Sequence, residues 1–156
     1  MINRKTTRVV LLLALCVPSL ALAGSGMQVK RAWVRMVPPV SENTAGYFRL
    51  CNHSDKDQEL VGASSPIAKV AELHTVVEKD GAYTMKPVSS VSVAAGSCTV
   101  FKPGANHLMF IGLVKPLEKG TRVPVQLKMK SGLIHATEFL IRNGGSGGSG
   151  HHHHHH

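Results

Sequence analysis

Four residues in the middle of the chain carry the donor types of a soft-metal site: His74, Met85, His107 and Met109. Ten residues separate His74 from Met85, twenty-one separate Met85 from His107, and one separates His107 from Met109. Thioether sulfur and neutral imidazole suit a soft monovalent ion, of which Cu(I) is the usual case. Two neutral, polarizable thioethers favour Cu(I) over Cu(II) or Zn(II), and two imidazoles add affinity without a thiolate. A site without thiolate also keeps its ligands in an oxidising compartment, where paired cysteines tend toward disulfide. The expectation is one Cu(I) per domain. Taken singly, each residue has a plainer reading, since Met is a common core filler and a lone strand His is usually a hydrogen-bonded structural residue.

The four can act together only if the surrounding elements bring them to one face. The mature region reads as short alternating segments broken by turn residues, the pattern of an all-β domain. Strands are expected over 29–36, 45–52, 59–63, 71–78, 82–86, 88–93, 98–102, 107–114, 122–130 and 133–141. Residues 66–73 are the one candidate for a helical turn. This count of short strands fits a single-domain two-sheet Greek-key sandwich, with a small closed barrel as the alternative. Asp80-Gly81 reads as a two-residue hairpin turn. It would pair Lys79 with Ala82 and set Val76 opposite Met85. Side-chain alternation then places His74 on the face of Val76 and Met85, and the two donors become diagonal neighbours about 7–8 Å apart at the backbone. A slip of one residue would put them on opposite faces. His107 and Met109 are i and i+2 on a strand and point the same way, while Leu108 and Phe110 face the core. Met27 and Met36 are weaker candidates for accessory contacts. Met129, His53 and His135 have no partner at useful spacing and read as structural or surface residues.

The ends of the chain serve other purposes. Arg4, Lys5 and Arg8 precede an apolar run, and Ala21-Leu22-Ala23 is a small-residue cleavage site. Residues 1–23 read as a secretory signal peptide cut after Ala23, which implies export to the periplasm. The apolar run is too short for a membrane span. Cys16 follows Leu15 rather than Gly or Ala, so lipidation there is the lesser reading. The domain is expected over 24–143, and 144–156 is an engineered Gly/Ser linker and hexahistidine tag. Removing the leader lowers Lys plus Arg from 18 to 15 against 9 acidic residues, a net charge of +6. No basic cluster with interleaved aromatics appears along the sequence, which argues against nucleic acid as partner. Two cysteines remain, Cys51 and Cys98. A bridge between them would stabilise the domain by roughly 3–4 kcal/mol; buried free thiols, or a redox or metal role, are the alternatives.

The four donors and their gaps match the signature H-x10-M-x21-H-x-M, and in this the chain resembles the PCuAC-type periplasmic copper chaperones. The likeness extends to Trp33 with Pro38-Pro39, Ala45-Gly46-Tyr47, the run from Leu60 to Pro66, Glu72-Leu73-His74, Met85-Lys86-Pro87-Val88, and Lys102-Pro103-Gly104 before His107-Leu108-Met109. It covers nearly the whole mature domain. The resemblance implies a cupredoxin-like β-sandwich with one Cu(I) near the surface on His74, Met85, His107 and Met109. It implies a copper carrier that helps load the copper A centre of a cytochrome oxidase, with the oxidase subunit or a Sco-type protein as partner. Some family members carry a His- and Met-rich C-terminal tail, and none is expected here, because no native His or Met follows His135 in this sequence.

Two other functions compete with that reading. A blue-copper electron carrier needs a His₂Cys set with a weak axial Met. Cys98 precedes His107 and Met109 but lies nine positions before His107, off the usual short ligand loop. A metal-free secreted sandwich that binds a partner through its loops is the second. No C-x-x-C and no nucleophile–base arrangement supports an enzyme.

Overall fold

A computed structural model of the protein describes residues 26–145. The signal peptide expected over residues 1–23, and the expected linker and tag beyond Gly145, lie outside the described residues. Ten strands follow one another: β1 Met27–Arg35, β2 Asn43–Asn52, β3 Gln58–Ser64, β4 Ala68–Lys79, β5 Ala82–Pro87, β6 Val91–Val93, β7 Cys98–Phe101, β8 His107–Leu113, β9 Arg122–Met129 and β10 Ile134–Arg142. The order of pairing is β5-β4-β8-β2-β1-β10-β9-β3-β6, with β7 also on β2. A contact between Ala63 of β3 and Ala71 of β4 closes seven of these strands into a ring. The fold is a cupredoxin-like Greek-key β-sandwich whose sheets join at their edges. No described helix is long and apolar enough to cross a membrane.

Side-chain alternation builds the core. In β9, Val123, Val125, Leu127 and Met129 are buried while the residues between them are exposed. Phe48 and Leu50 of β2, Leu108 and Phe110 of β8, and Phe139 and Ile141 of β10 meet them in one apolar cluster. Met27 belongs to that cluster and Met36 packs against it, so both methionines serve packing rather than the candidate site. The expected helical turn over 66–73 does not form. Only Pro66 and Ile67 make a turn, and from Ala68 the chain pairs with β8 along its length. Cross-strand bonds to two neighbours outweigh the local helical bias.

Cys51 and Cys98 face each other across β2 and β7 and form a disulfide. With a sequence separation of 47, the bridge stabilises by about 4 kcal/mol in the loop-entropy account. Strands β7 and β8 occupy successive stretches of the same edge of β2, with Phe48 opposite Phe101 and Gly46 opposite Leu108. The intervening loop folds back on itself through bonds from Lys102 N–H to the Asn106 carbonyl and from Ala105 N–H to the Lys102 carbonyl. That compact loop delivers His107 at the first position of β8.

Candidate metal centre

The hairpin forms in the register its turn residues dictate. Asp80 and Gly81 both adopt positive φ, 54° and 78°, as the tight Asp-Gly turn requires. Lys79 pairs with Ala82 and Val76 with Met85. On its other edge β4 pairs with β8, setting His74 opposite His107, Leu73 opposite Leu108 and Glu72 opposite Met109. Leu73 and Leu108 are buried in the core. The alternate residues therefore face outward, and His74, Met85, His107 and Met109 share the outer face of β5-β4-β8.

Within that face the donors are graded. The imidazoles of His74 and His107 are direct cross-strand neighbours, with ring centroids 5.7 Å apart. Met109 is two residues along from His107 and diagonal to His74. Met85 stands on the far side of β4, diagonal to His74 and two strands from His107. Exposure rises in the same direction. His107 is 3% exposed, the His74 side chain 14%, Met109 is half-buried, and Met85 is 57% exposed.

The hydrogen bonds assign a role to each ring nitrogen. His107 Nδ1 lies 2.9 Å from the Ala105 carbonyl oxygen, which can only accept, so Nδ1 carries the proton. Its Nε2 is then a bare lone pair, and it is the one side-chain polar atom among the described residues that is buried without a partner. His74 Nε2 lies 2.9 Å from Glu72 Oε2, also an acceptor when ionised, which leaves the Nδ1 lone pair free. A carbonyl and a carboxylate thus orient the two imidazoles, the usual outer support of metal-binding histidines. Among the described residues no group of three or more His, Cys, Asp or Glu is placed to hold a metal ion. A site at this pair would draw its remaining donors from Met109 and Met85.

Sequence reasoning missed the orienting groups and the wall beside them. Glu72 could have been found, since it is two residues before His74 and so on the same face. Nothing in the sequence set Tyr47 beside His107. Its ring centroid lies 6.3 Å from that of His107, and Trp33 packs on its other side at 4.6 Å. His53, as expected, is exposed and bonds to Gln28, and Met129 is in the core. Cys98 is held in the disulfide, so the thiolate that a blue-copper centre needs is absent from this face.

Comparison with known proteins agrees with this architecture. Residues 27–139 match the family described as "Putative lipoprotein LpqE-like". Lxx21020 of Leifsonia xyli subsp. xyli, which bears the same lipoprotein description, is 37% identical over 108 residues, 69% of this chain and 64% of that protein. RP573 of Rickettsia prowazekii is 35% identical over 68 residues, 43% of this chain and 38% of that protein. The chain thus spans less than two thirds of the length of either relative. Among solved structures, apo-DR1885 from Deinococcus radiodurans superposes with a TM-score of 0.62 at 28% identity, over 91% of this chain and 97% of that one. The Cu(I) form of DR1885 gives 0.57 at 28% identity, over 80% and 82%. The copper-bound PCuAC domain of PmoF2 gives 0.65 at 13% identity, over 76% and 94%, and bears on the fold alone. By its sequence over residues 27–139 the chain belongs to the LpqE-like family, and its fold is the one that PCuAC domains share.

Proposed function

We propose that this protein is a Cu(I) carrier of the cell envelope that accepts one copper ion on His74, Met85, His107 and Met109 and hands it to a partner protein. The observation that carries the reading is the buried, partnerless Nε2 of His107. A buried lone pair without a donor costs about 1–3 kcal/mol in the metal-free protein, and a soft cation is the partner that its neighbours can help to hold. The likeness to DR1885, whose Cu(I) form is known, supports the same ion. Copper here is cargo, and the protein is a binding and transfer protein rather than an enzyme.

The gradient of exposure suggests an order of exchange. Met85, on the exposed hairpin, is the donor that an incoming ligand displaces first. Met109 and His74 follow, and His107, anchored to the Ala105 carbonyl, releases last. Copper stays coordinated throughout, so no free ion is released. The copper A subunit of a cytochrome oxidase, or a Sco-type protein, is the proposed acceptor. Export by a leader cut after Ala23 would place the protein in the periplasm, consistent with relatives described as lipoproteins.

The test is Cu(I) competition against a chromophoric chelator with tag-cleaved protein, since six histidines bind copper themselves. One tight equivalent, lost in Met85→Ala/Met109→Ala, is the expected result. Binding indifferent to those methionines would remove the reading.

A further inference from the structure

Beside the copper face, cations that are scattered in sequence converge in space. A concavity of about 490 Å³ is lined by Arg31 of β1, Arg122 of β9, Arg142 of β10 and Trp33, with Glu138 as the lone carboxylate. Across Trp33 a second hollow of about 260 Å³ shares Arg31 and Arg142 and adds Arg49 and Lys102. The sequence showed no basic cluster around an aromatic residue. The fold makes one, because strands β1, β9 and β10 are adjacent.

These guanidinium groups form no ion pair among the described residues. The ion pair among the described residues is Lys130–Glu59, the His74–Glu72 contact is a hydrogen bond from a neutral imidazole, and neither involves an arginine. Arg142 stacks over Trp33, 3.8 Å from the ring centroid, and otherwise reaches only the Asn143 carbonyl at 3.4 Å. Arg31 sits at a bulge of β1 with φ of 53°, a left-handed conformation that favours glycine. A bulge of this kind re-aims a side chain. Here it turns a guanidinium toward the rim that both hollows share.

We propose that this arginine-lined concavity docks an acidic segment of the copper-accepting protein. Charge selects the occupant: five cations face one carboxylate, on a domain of net charge +6 after leader removal. Arginine forks match carboxylates in two-point contacts. A nucleic acid fits less well, since the single aromatic face is already covered by Arg142 and offers no platform for base stacking. Position links docking to transfer. Trp33 contacts Tyr47 and Tyr47 neighbours His107, so a segment seated on the arginines lies two ring contacts from the buried end of the candidate copper site. Calling the partner a copper acceptor rests on the function proposed above. The preference for an acidic segment rests on the concavity alone.

Trp33 is the only tryptophan in the chain and reports directly on the site. Metal-free, tag-cleaved protein is titrated with a hexaglutamate peptide while Trp33 emission is followed. A saturable change is expected, abolished at about 1 M salt, where the screening length falls to about 3 Å. Arg31→Gly/Arg122→Gln should weaken binding by at least about tenfold, the scale of losing charge-assisted hydrogen bonds. Glycine suits the backbone at position 31, and Arg122→Gln alone decides the matter should the double variant fail to fold by circular dichroism. No saturable change, equal affinity in the variants, or tighter binding of an oligothymidine strand would overturn the proposal. Cu(I) affinity, measured separately, should be the same in the variants. Absence of Cu(I) binding in the unsubstituted protein would strike the carrier function and leave the peptide result standing.

Discussion

Replacing His107 with leucine should make the metal-free protein more stable while destroying the proposed copper site. The side chain is 3% exposed and its Nε2 has no partner. Leaving such a group unsatisfied costs about 1–3 kcal/mol. The substitution also gives up the bond from Nδ1–H to the Ala105 carbonyl, 2.9 Å long and worth about 1 kcal/mol net. Leucine is close to histidine in volume, and the site lies between Tyr47 and His74, which can accept an apolar neighbour. The balance is a gain of about 1 kcal/mol, or roughly 4 °C in Tm for a domain of this size. The assay is thermal unfolding of tag-cleaved protein with excess chelator, paired with Cu(I) competition on the same samples. A lower Tm for the metal-free variant would mean that His107 is an ordinary satisfied core residue, and the reasoning from its orphaned nitrogen would fail. Undiminished Cu(I) affinity would refute its role as a ligand whatever the Tm.

Other substitutions separate binding from folding. Met85→Ala should cost less than about 1 kcal/mol, because a side chain already 57% exposed buries little on folding. Its Cu(I) affinity should nonetheless fall more than about tenfold, beyond the loss typical of an outer supporting group, as read by chelator competition. Glu72→Ala removes the acceptor that orients His74, so Cu(I) affinity should fall about tenfold in the same assay. Cys51→Ala/Cys98→Ala should lower the unfolding free energy in urea by about 4 kcal/mol and leave Cu(I) affinity unchanged, since the bridge joins β2 to β7 away from the metal face. Gly46→Ala should destabilise by about 1–3 kcal/mol in the same urea measurement, since the added methyl carbon would meet Phe110 at 2.7 Å.

The division between what sequence determined and what folding decided follows from the range of the interactions. Local rules sufficed wherever a single hairpin or a single strand settled the matter. Asp80-Gly81 admits one tight turn, and that turn alone sets Val76 against Met85 and so puts His74 and Met85 on one face. Period-two alternation likewise placed Leu108 and Phe110 in the core and His107 and Met109 together on the opposite side of β8. The shared face of His74, Met85, His107 and Met109 was therefore legible. The helical bias expected over 66–73 failed because β8 and β3, distant in sequence, offered that segment their free edges. Nor could sequence set His74 opposite His107, since the register of β4 against β8 is closed by core packing across 32 intervening positions rather than by a turn. The lone pair on His107 depends on the Ala105 carbonyl and on burial beside Tyr47, both products of how β7, its loop and β8 share one edge of β2. The three arginines of the larger concavity come from three strands and meet only because a parallel β1–β10 pairing brings the first and last described strands together. Residue type and short-range spacing determined which chemistry was available. Tertiary packing decided which donors are neighbours, which nitrogen stays unprotonated and where the charge collects, because each of these depends on contacts that only the closed sheet can make.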